Sequence, residues 1–493
     1  MMYRREDKEQ IGMDEFFLPF EGHLDNNNRW VKLSKLMPWD YIEEIYSRGF
    51  SADTGRTAIA ARIAFGSIYL KEQEKLTDEG SVRYIQENPY AQYFLGLKRF
   101  QPEPLFEPSM MVHFRKRFPA GEIIKINEYI CLGHWPQQND NDDDDNAVPP
   151  GDSGTRKKGP NPNTSKKKLK NLKKNSGKLL LDATVAPSDI HYPTDIALLN
   201  RCREIQEEAI DLVWEHTARQ GHKTPYNRRK ARKSYLKVAK AKRHKKNAVR
   251  NAIGEQLRYV EEGAERLQEL LKESPDVSLP SWLLQRLAVI PQIFAQQKEM
   301  YENRINKCED RIVSLHQPHV RPIVRGKIPN PTEFGQKLHL AVVDGYTFLE
   351  RSSWDNFNEG CDLIAAVEQY RIRFGCYPEA ILADQIYRTR ENRAFCKLNG
   401  IRLSGPPLGR RKKDETDEDR EKIAYQDACD RNAVEGRNGN LKRRFGLDRI
   451  MCILQESAET EAALAILAMN ALHRLLRALL FKLRFVTNIL VFQ

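Results

Sequence analysis

The sequence predicts an α/β fold: a sheet flanked by helices, interrupted by a large helical insertion and preceded by a separate all-α N-terminal domain. Three observations carry this prediction. KLLLDATVAP (Lys178 to Pro187) and EAILAD (Glu379 to Asp384) are short apolar runs of the kind that form buried strands. KLHLAVVDG and YTFLERSS meet at Asp344-Gly345, a strong hairpin signal. Elsewhere, apolar residues recur at helical spacing through the N-terminal third and again between the first strand and the hairpin.

Residues 1–135 read as a helical N-terminal DNA-binding domain. WVKLSKLMPWDYIEEIY carries Asp40 as a start signal after Pro38, and TAIAARIAFGSIYLK is apolar at helical spacing. Thr77 caps TDEGSVRYIQ, Pro89 breaks the pattern, and Ser109 caps SMMVHFRKRF before Pro119 ends it. Short helices ending in a basic one suit a helix-turn-helix-like reader, with Arg115, Lys116 and Arg117 near phosphates. The same residues equally fit a helical packing module with a basic rim.

Residues 136–177 form a charged flexible linker, acidic in NDNDDDDN and basic in KKKLKNLKKNSGK, because like-charge blocks cannot bury enough apolar surface to order themselves. The first strand opens a segment at 178–196, and a basic helical insertion follows at 197–330. Its amphipathic stretches LLNRCREIQEEAIDLVWEH and IGEQLRYVEEGAERLQELLKE could dimerise. Between them no acidic residue occurs from Lys223 to Arg250. As a helix this run sets Arg228, Arg229 and Lys230 along a duplex backbone; an exposed basic helix is the plainer alternative.

The remainder, 331–493, holds the hairpin, a helix from Glu359 to Phe374 and the strand ending at Asp384. A helix capped by Thr389 and stopped by Gly400 comes next, then a helix through RNAVEGRNGNLKRRFGL. A closing apolar stretch, Ala462 to Phe492, is interrupted by Arg474, Arg477, Lys482 and Arg484. It reads as a packing helix whose tail associates with a partner chain, not as a membrane span, which takes about 20 apolar residues.

With 493 residues the chain exceeds one ordinary core and implies two or three domains. Its 80 Lys and Arg against 68 Asp and Glu leave +12, which points to a polyanionic partner, most simply nucleic acid. Eight scattered cysteines without a C-x-x-C pair indicate neither a zinc site nor a disulfide framework, and read as buried thiols in a reducing cytoplasm. MMYRREDKEQ has no apolar core of a signal peptide.

The chemistry concentrates in three carboxylates. Asp182 and Asp384 each end a buried strand, where strand C-termini open onto a crevice. Glu435 lies on a helix whose Arg431, Glu435, Asn438 and Lys442 share one polar stripe, while Val434, Leu441 and Phe445 pin it to a core. Singly, each aspartate also fits a turn or cap, and the stripe a solvated i,i+4 pair. Three convergent carboxylates would repel without a cation, and oxygen-only ligands select Mg²⁺ or Mn²⁺. Two such ions suit an in-line phosphodiester displacement.

These residues, with LLLDATVAPSDIHYPTD, RPIVRGK, ILADQIYRTRENRAFC and GIRLSGPPLGR, resemble the bacterial insertion-sequence DDE transposases. RNAVEGRNGNLKRRFGLDRI matches their R-x3-E-x6-K pattern. The resemblance implies a ribonuclease H-like mixed sheet, with Asp182, Asp384 and Glu435 carrying Mg²⁺ and Arg431 and Lys442 orienting DNA phosphates. It further implies cleavage at terminal inverted repeats and strand transfer into target DNA by a homo-oligomer, at least a dimer on DNA, in the bacterial cytoplasm at the nucleoid. Rival readings are a transposase-derived DNA-binding protein that no longer cuts, and a nuclease without strand transfer. One departure stands out: related members often carry tyrosine where this chain has Ala428, with Tyr425 one turn earlier.

Several other residues read as structural. In HYPTD, Thr194 or Asp195 caps the next helix and His191 shapes the loop; Asp344 is a turn former; Trp354 is a core tryptophan. Lys327 and Lys337 precede the hairpin as phosphate contacts without a fixed place.

Overall fold

The computed structural model describes residues 12–18, 22–51, 55–134, 174–216, 227–243, 245–325, 331–406 and 417–491. The acidic tract, most of the linker and Lys327 lie outside them.

The N-terminal region is all helical: α1 (Arg29–Leu36), α2 (Trp39–Ser47), α3 (Ala61–Glu74), α4 (Asp78–Glu87), α5 (Pro89–Phe94), α6 (Met110–Arg117) and α7 (Ala120–Leu132). Thr77 caps α4 by accepting the Gly80 N–H at 3.0 Å. Ser109 occupies the cap position of α6 in helical backbone geometry and makes no side-chain cap bond. Asp40 lies in the first turn of α2, where its charge suits the helix N-terminus. Trp30, Phe65, Tyr69 and Phe94 fill the centre of the helical layer.

Strand β1 (Lys178–Pro187) is followed by the insertion: α8 (Asp195–His216), α9 (Arg228–Ala239), α10 (Lys246–Glu273) and α11 (Ser281–Asn303). Leu199, Ile205 and Val213 of α8 close a core with Val260 and Leu270 of α10 and Leu283 and Ile293 of α11. The amphipathic faces are therefore largely spent on one another within the chain. Thr194 caps α8 through the Ala197 N–H at 3.3 Å, and Asp195 takes Arg311 at 2.6 Å, tying the insertion's entrance to its exit.

The sheet is completed by β2 (Arg321–Val324), β3 (Thr332–Val343), β4 (Tyr346–Ser353), β5 (Ala380–Leu382) and β6 (Arg402–Leu403). Its order is β2-β3-β1-β5-β6, with β4 also on β3. Strands β1, β5 and β6 run parallel, whereas β3 is antiparallel to β1, β2 and β4. Asp344 and Gly345 turn the hairpin with φ of 49° and 80°, the left-handed pair that a two-residue loop requires. Helices α12 (Leu363–Phe374), α13 (Arg390–Leu398), α14 (Asp417–Phe445) and α15 (Gln455–Val491) complete the chain. Thr389 caps α13 through the Asn392 N–H at 3.2 Å. This curved mixed sheet flanked by helices, with a large helical insertion and an all-helical N-terminal region, is the ribonuclease H-like arrangement.

Helix α15 joins the two halves. Ala462 to Ala471 is buried throughout, as a helix apolar all round must be. At the junction Asn470 donates to Asn127 of α7 at 2.8 Å and to the Thr347 carbonyl of β4 at 2.6 Å, and accepts the Thr347 N–H at 3.0 Å. The N-terminal region is thus separate in sequence but shares its core with α15 and one face of the sheet. By length and composition 455–481 could cross a membrane. Its first half is the core of this protein, while Leu476, Leu479, Leu480 and Phe481 are exposed. All eight cysteines are free; Cys361 and Cys429 are exposed, so not every thiol is buried as expected.

Candidate active site

Register places the aspartates. Leu180 of β1 pairs with Leu382 of β5 in parallel, so Asp182 and Asp384, each two residues further on, lie level at the same crevice. Val434 of α14 packs with Leu180, Leu382 and Val342, which clamps the helix over this face of the sheet. Leu441 and Phe445 are also buried, at 0% and 2% exposure, and each contributes about 2 kcal/mol of burial to holding α14 in place.

So clamped, α14 presents its polar stripe to the crevice. Arg431 forms an ion pair with Asp384. One turn beyond Val434, Asn438 donates to Asp182 Oδ2 at 2.7 Å, and Lys442 lies 3.7 Å from Glu333. Glu435 is exposed and follows Arg431 by one turn, on the helix face that meets both aspartates. Burial raises the Asp182 carboxyl above the ordinary aspartate range. The Ala183 N–H pulls it down, the Asp384 charge pushes it up, and Arg325 and Arg431 pull it down again.

Arg325 is a site neighbour that sequence reasoning missed. Just past β2, it donates to the Ala183 carbonyl at 3.1 Å and pairs with Glu333 at 3.2 Å. Nothing in its spacing marks it, since the contact depends on β2 pairing beside β1's neighbour.

The donor set suits a hard divalent cation. It is oxygen-only, one aspartate feels the other's charge, and the Asn438 Oδ1 beside Asp182 is buried without a hydrogen-bond partner. Among the described residues, however, no three His, Cys, Asp or Glu side chains converge as a metal-holding group. The two aspartates lie level at the crevice, and Glu435 is exposed on the helix clamped over it.

The remaining predicted contacts divide. Arg115 is buried and binds both oxygens of Asp78, at 2.9 and 2.7 Å, so it serves the fold and offers no face to a phosphate. Arg117 donates to the Gly49 carbonyl at 3.1 Å and covers the Phe50 ring at 3.7 Å; Lys116 is exposed. Arg228 is held by Asp211 at 2.7 Å, whereas Arg229 and Lys230 are exposed on α9. Lys337 is buried, donating to the Phe357 carbonyl at 2.6 Å and pairing with Glu359. Trp354 is a core residue that donates to Glu459 at 2.7 Å, and His191 is exposed. Tyr425 is 73% exposed one turn before Ala428.

Comparison with known families places two models on the chain: a transposase DDE domain over residues 381–472 and a transposase domain (DUF772) over 18–117. The first spans Asp384 and Glu435 and leaves out Asp182. An uncharacterised protein of Rhizobium meliloti, described as ORF8 in the nfe locus, is 38% identical over 105 residues. That match covers 21% of this chain and 50% of the relative. No solved structure matches.

Proposed function

We propose, from the premise that the chain carries a transposase DDE domain and a second transposase domain, that it cleaves the terminal inverted repeats of an insertion sequence and joins them to target DNA. The observation that carries this reading is the level placement of Asp182 and Asp384 under the α14 stripe. In this reading Asp182, Asp384 and Glu435 would hold Mg²⁺, for which Mn²⁺ substitutes. The bound cation would neutralise charge on the phosphodiester and activate a water or 3′-hydroxyl. Asn438 fixes the Asp182 carboxylate, Arg431 exchanges Asp384 for a DNA phosphate, and Lys442 holds a second phosphate beside it.

The same proposal assigns recognition of the ends to residues 1–135 and a DNA clamp to the exposed cations of α9. It has the enzyme work as at least a dimer on DNA, in the cytoplasm at the nucleoid. The test is strand cleavage and joining on DNA carrying the element's ends, with Mg²⁺ or EDTA, for wild type and Glu435→Gln. Metal-dependent cutting and joining by wild type, with binding but no cutting by the variant, supports the proposal. Equal cutting by both would move the active site elsewhere. A second reading, a chain that grips DNA without cutting, is favoured by the lack of a closed group of three metal-ligand side chains among the described residues and by the Arg431–Asp384 ion pair. Binding without cutting by both proteins would select it, and cutting without joined product would select a nuclease.

A further inference from the structure

The segment leaving β5 carries a second cationic group that the three-carboxylate pattern does not include. Arg388 follows Asp384 by four residues, immediately before the cap of α13. Its guanidinium lies against Gly405: a Cβ there would sit 2.1 Å from Arg388 Cζ, and the φ of +94° also favours glycine. Arg393 closes the group, with Nε donating to the Arg388 carbonyl at 3.2 Å and Nη1 to the Pro406 carbonyl at 3.2 Å.

Three other buried or half-buried arginines of this chain are held by carboxylates: Arg115 by Asp78, Arg373 by Glu128 and Glu350, Arg402 by Asp427. Arg388 differs. Its Nε is buried without a hydrogen-bond partner, and the nearby Asp384 carboxylate is taken by Arg431. Burial first, then the positive charges of Arg393 and Arg431, disfavour its charged form, and Asp384 only partly offsets them. A guanidinium does not escape such a position by losing its proton; it is relieved by an anion. Its planar fork matches a phosphate, and the place is the rim of the crevice that holds the two aspartates.

We propose that Arg388, with Arg393 and beside Arg431, forms a subsite for a DNA backbone phosphate flanking the strand at Asp384. This rests on the reading that DNA enters the crevice. The subsite would grip the strand one side of the reacting bond, leaving Arg431 and Lys442 to the other contacts.

The test is duplex binding as a function of salt, in EDTA so that no strand is cut, for wild type, Arg388→Met, Arg388→Gln and Arg388→Lys. Both neutral variants are expected to lose about tenfold in affinity and about one unit of salt slope, and Arg388→Lys to restore the slope. A packing defect would not move the slope, and melting curves for the two neutral variants separate a folding loss from a lost contact. Millimolar inorganic phosphate is expected not to displace the duplex; displacement from wild type and not from Arg388→Met would instead assign the subsite to free phosphate and overturn the proposal. Wild-type slope and affinity in either folded neutral variant would also overturn it. Failure of wild type to bind any duplex would overturn both this and the DNA reading, and so is distinct from failure of the subsite alone.

Discussion

Helices α6 and α14 both carry cations, and they use them differently. In α6 the run Arg115-Lys116-Arg117 is largely turned inward: Arg115 clamps Asp78, and Arg117 lies on Phe50. In α14 Arg431 and Lys442 meet carboxylates across an open crevice, where Arg431 and Asp384 keep 34% and 54% side-chain exposure. The same residue type is structural where its partner is enclosed with it and available where the partner faces water. Exchange of an open pair for a ligand is cheap, because an exposed pair contributes about 0.2–1 kcal/mol. Breaking an enclosed one leaves a charge stranded.

The sharpest way to break the comparison is at the carboxylates themselves. Asp384→Asn removes one charge from the crevice and leaves the α6 pair untouched. Cleavage of end-bearing DNA is expected to fall on the order of 10³-fold or more, with the melting temperature essentially unchanged, because Asp384 is exposed. Retained cleavage would mean that the crevice is not the reacting centre.

Arg115→Ala should show the converse. With Arg115 at 7% and Asp78 at 29% side-chain exposure, the loss is expected to be about 3 kcal/mol in urea unfolding. The salt slope of DNA binding should not change. A changed slope in folded protein would return Arg115 to the DNA surface.

Arg431→Ala sharpens the contrast at lower amplitude. Removing the cation frees Asp384, so Mn²⁺ should bind about two- to fivefold more tightly without DNA, read from the free-ion signal in electron paramagnetic resonance. Arg115→Ala should leave that affinity alone. An unchanged Mn²⁺ affinity in Arg431→Ala would show that Asp384 does not compete for Arg431 and metal.

Much of this contrast could not be read in the sequence. The strand bearing Asp182 and the one leading to Asp384 stand out because β1 is a run of apolar residues and EAILAD is bounded by turn formers, and the α14 face follows from spacing alone; but Asp182 lies within β1 rather than at its end, and Asp384 lies two residues past β5. Strands β2 and β6, four and two residues long, are too short for periodicity to mark. The roles of Arg115, Arg325 and Arg388 depend on partners 37 and 142 residues away, or on a missing partner, and local pattern carries no such information. The core that α15 shares with α7 is likewise non-local: Asn127 and Asn470 meet across 343 residues. Ser109 looked like a cap because serine favours that place, but its backbone is already helical.

The smallest effect concerns the sheet beneath α14, and asks whether the crevice rests on a floor with its own pH dependence. His339 of β3 lies opposite Ala183, fully buried, stacked 5.7 Å from Tyr387, with both ring nitrogens lacking hydrogen bonds. Burial lowers its pKa from 6.5 to about 4, although Asp362 and Glu359 pull it up; Lys337 and Arg351 push it further down. Between those values the unfolded chain binds a proton that the folded protein refuses. Stability is therefore lost as pH falls from 6.5 towards 4 and is not affected above that window. His319 and His473 are also lowered to about 4 and add to the same slope. His339→Gln should remove one of these contributions, so its melting temperature falls less than wild type between neutral pH and pH 4.5, while Arg431→Ala keeps the wild-type slope. Parallel curves for His339→Gln and wild type would mean that the His339 ring is protonated inside the fold, paired with Asp362 or Glu359, and that the floor beneath Asp182 carries a positive charge.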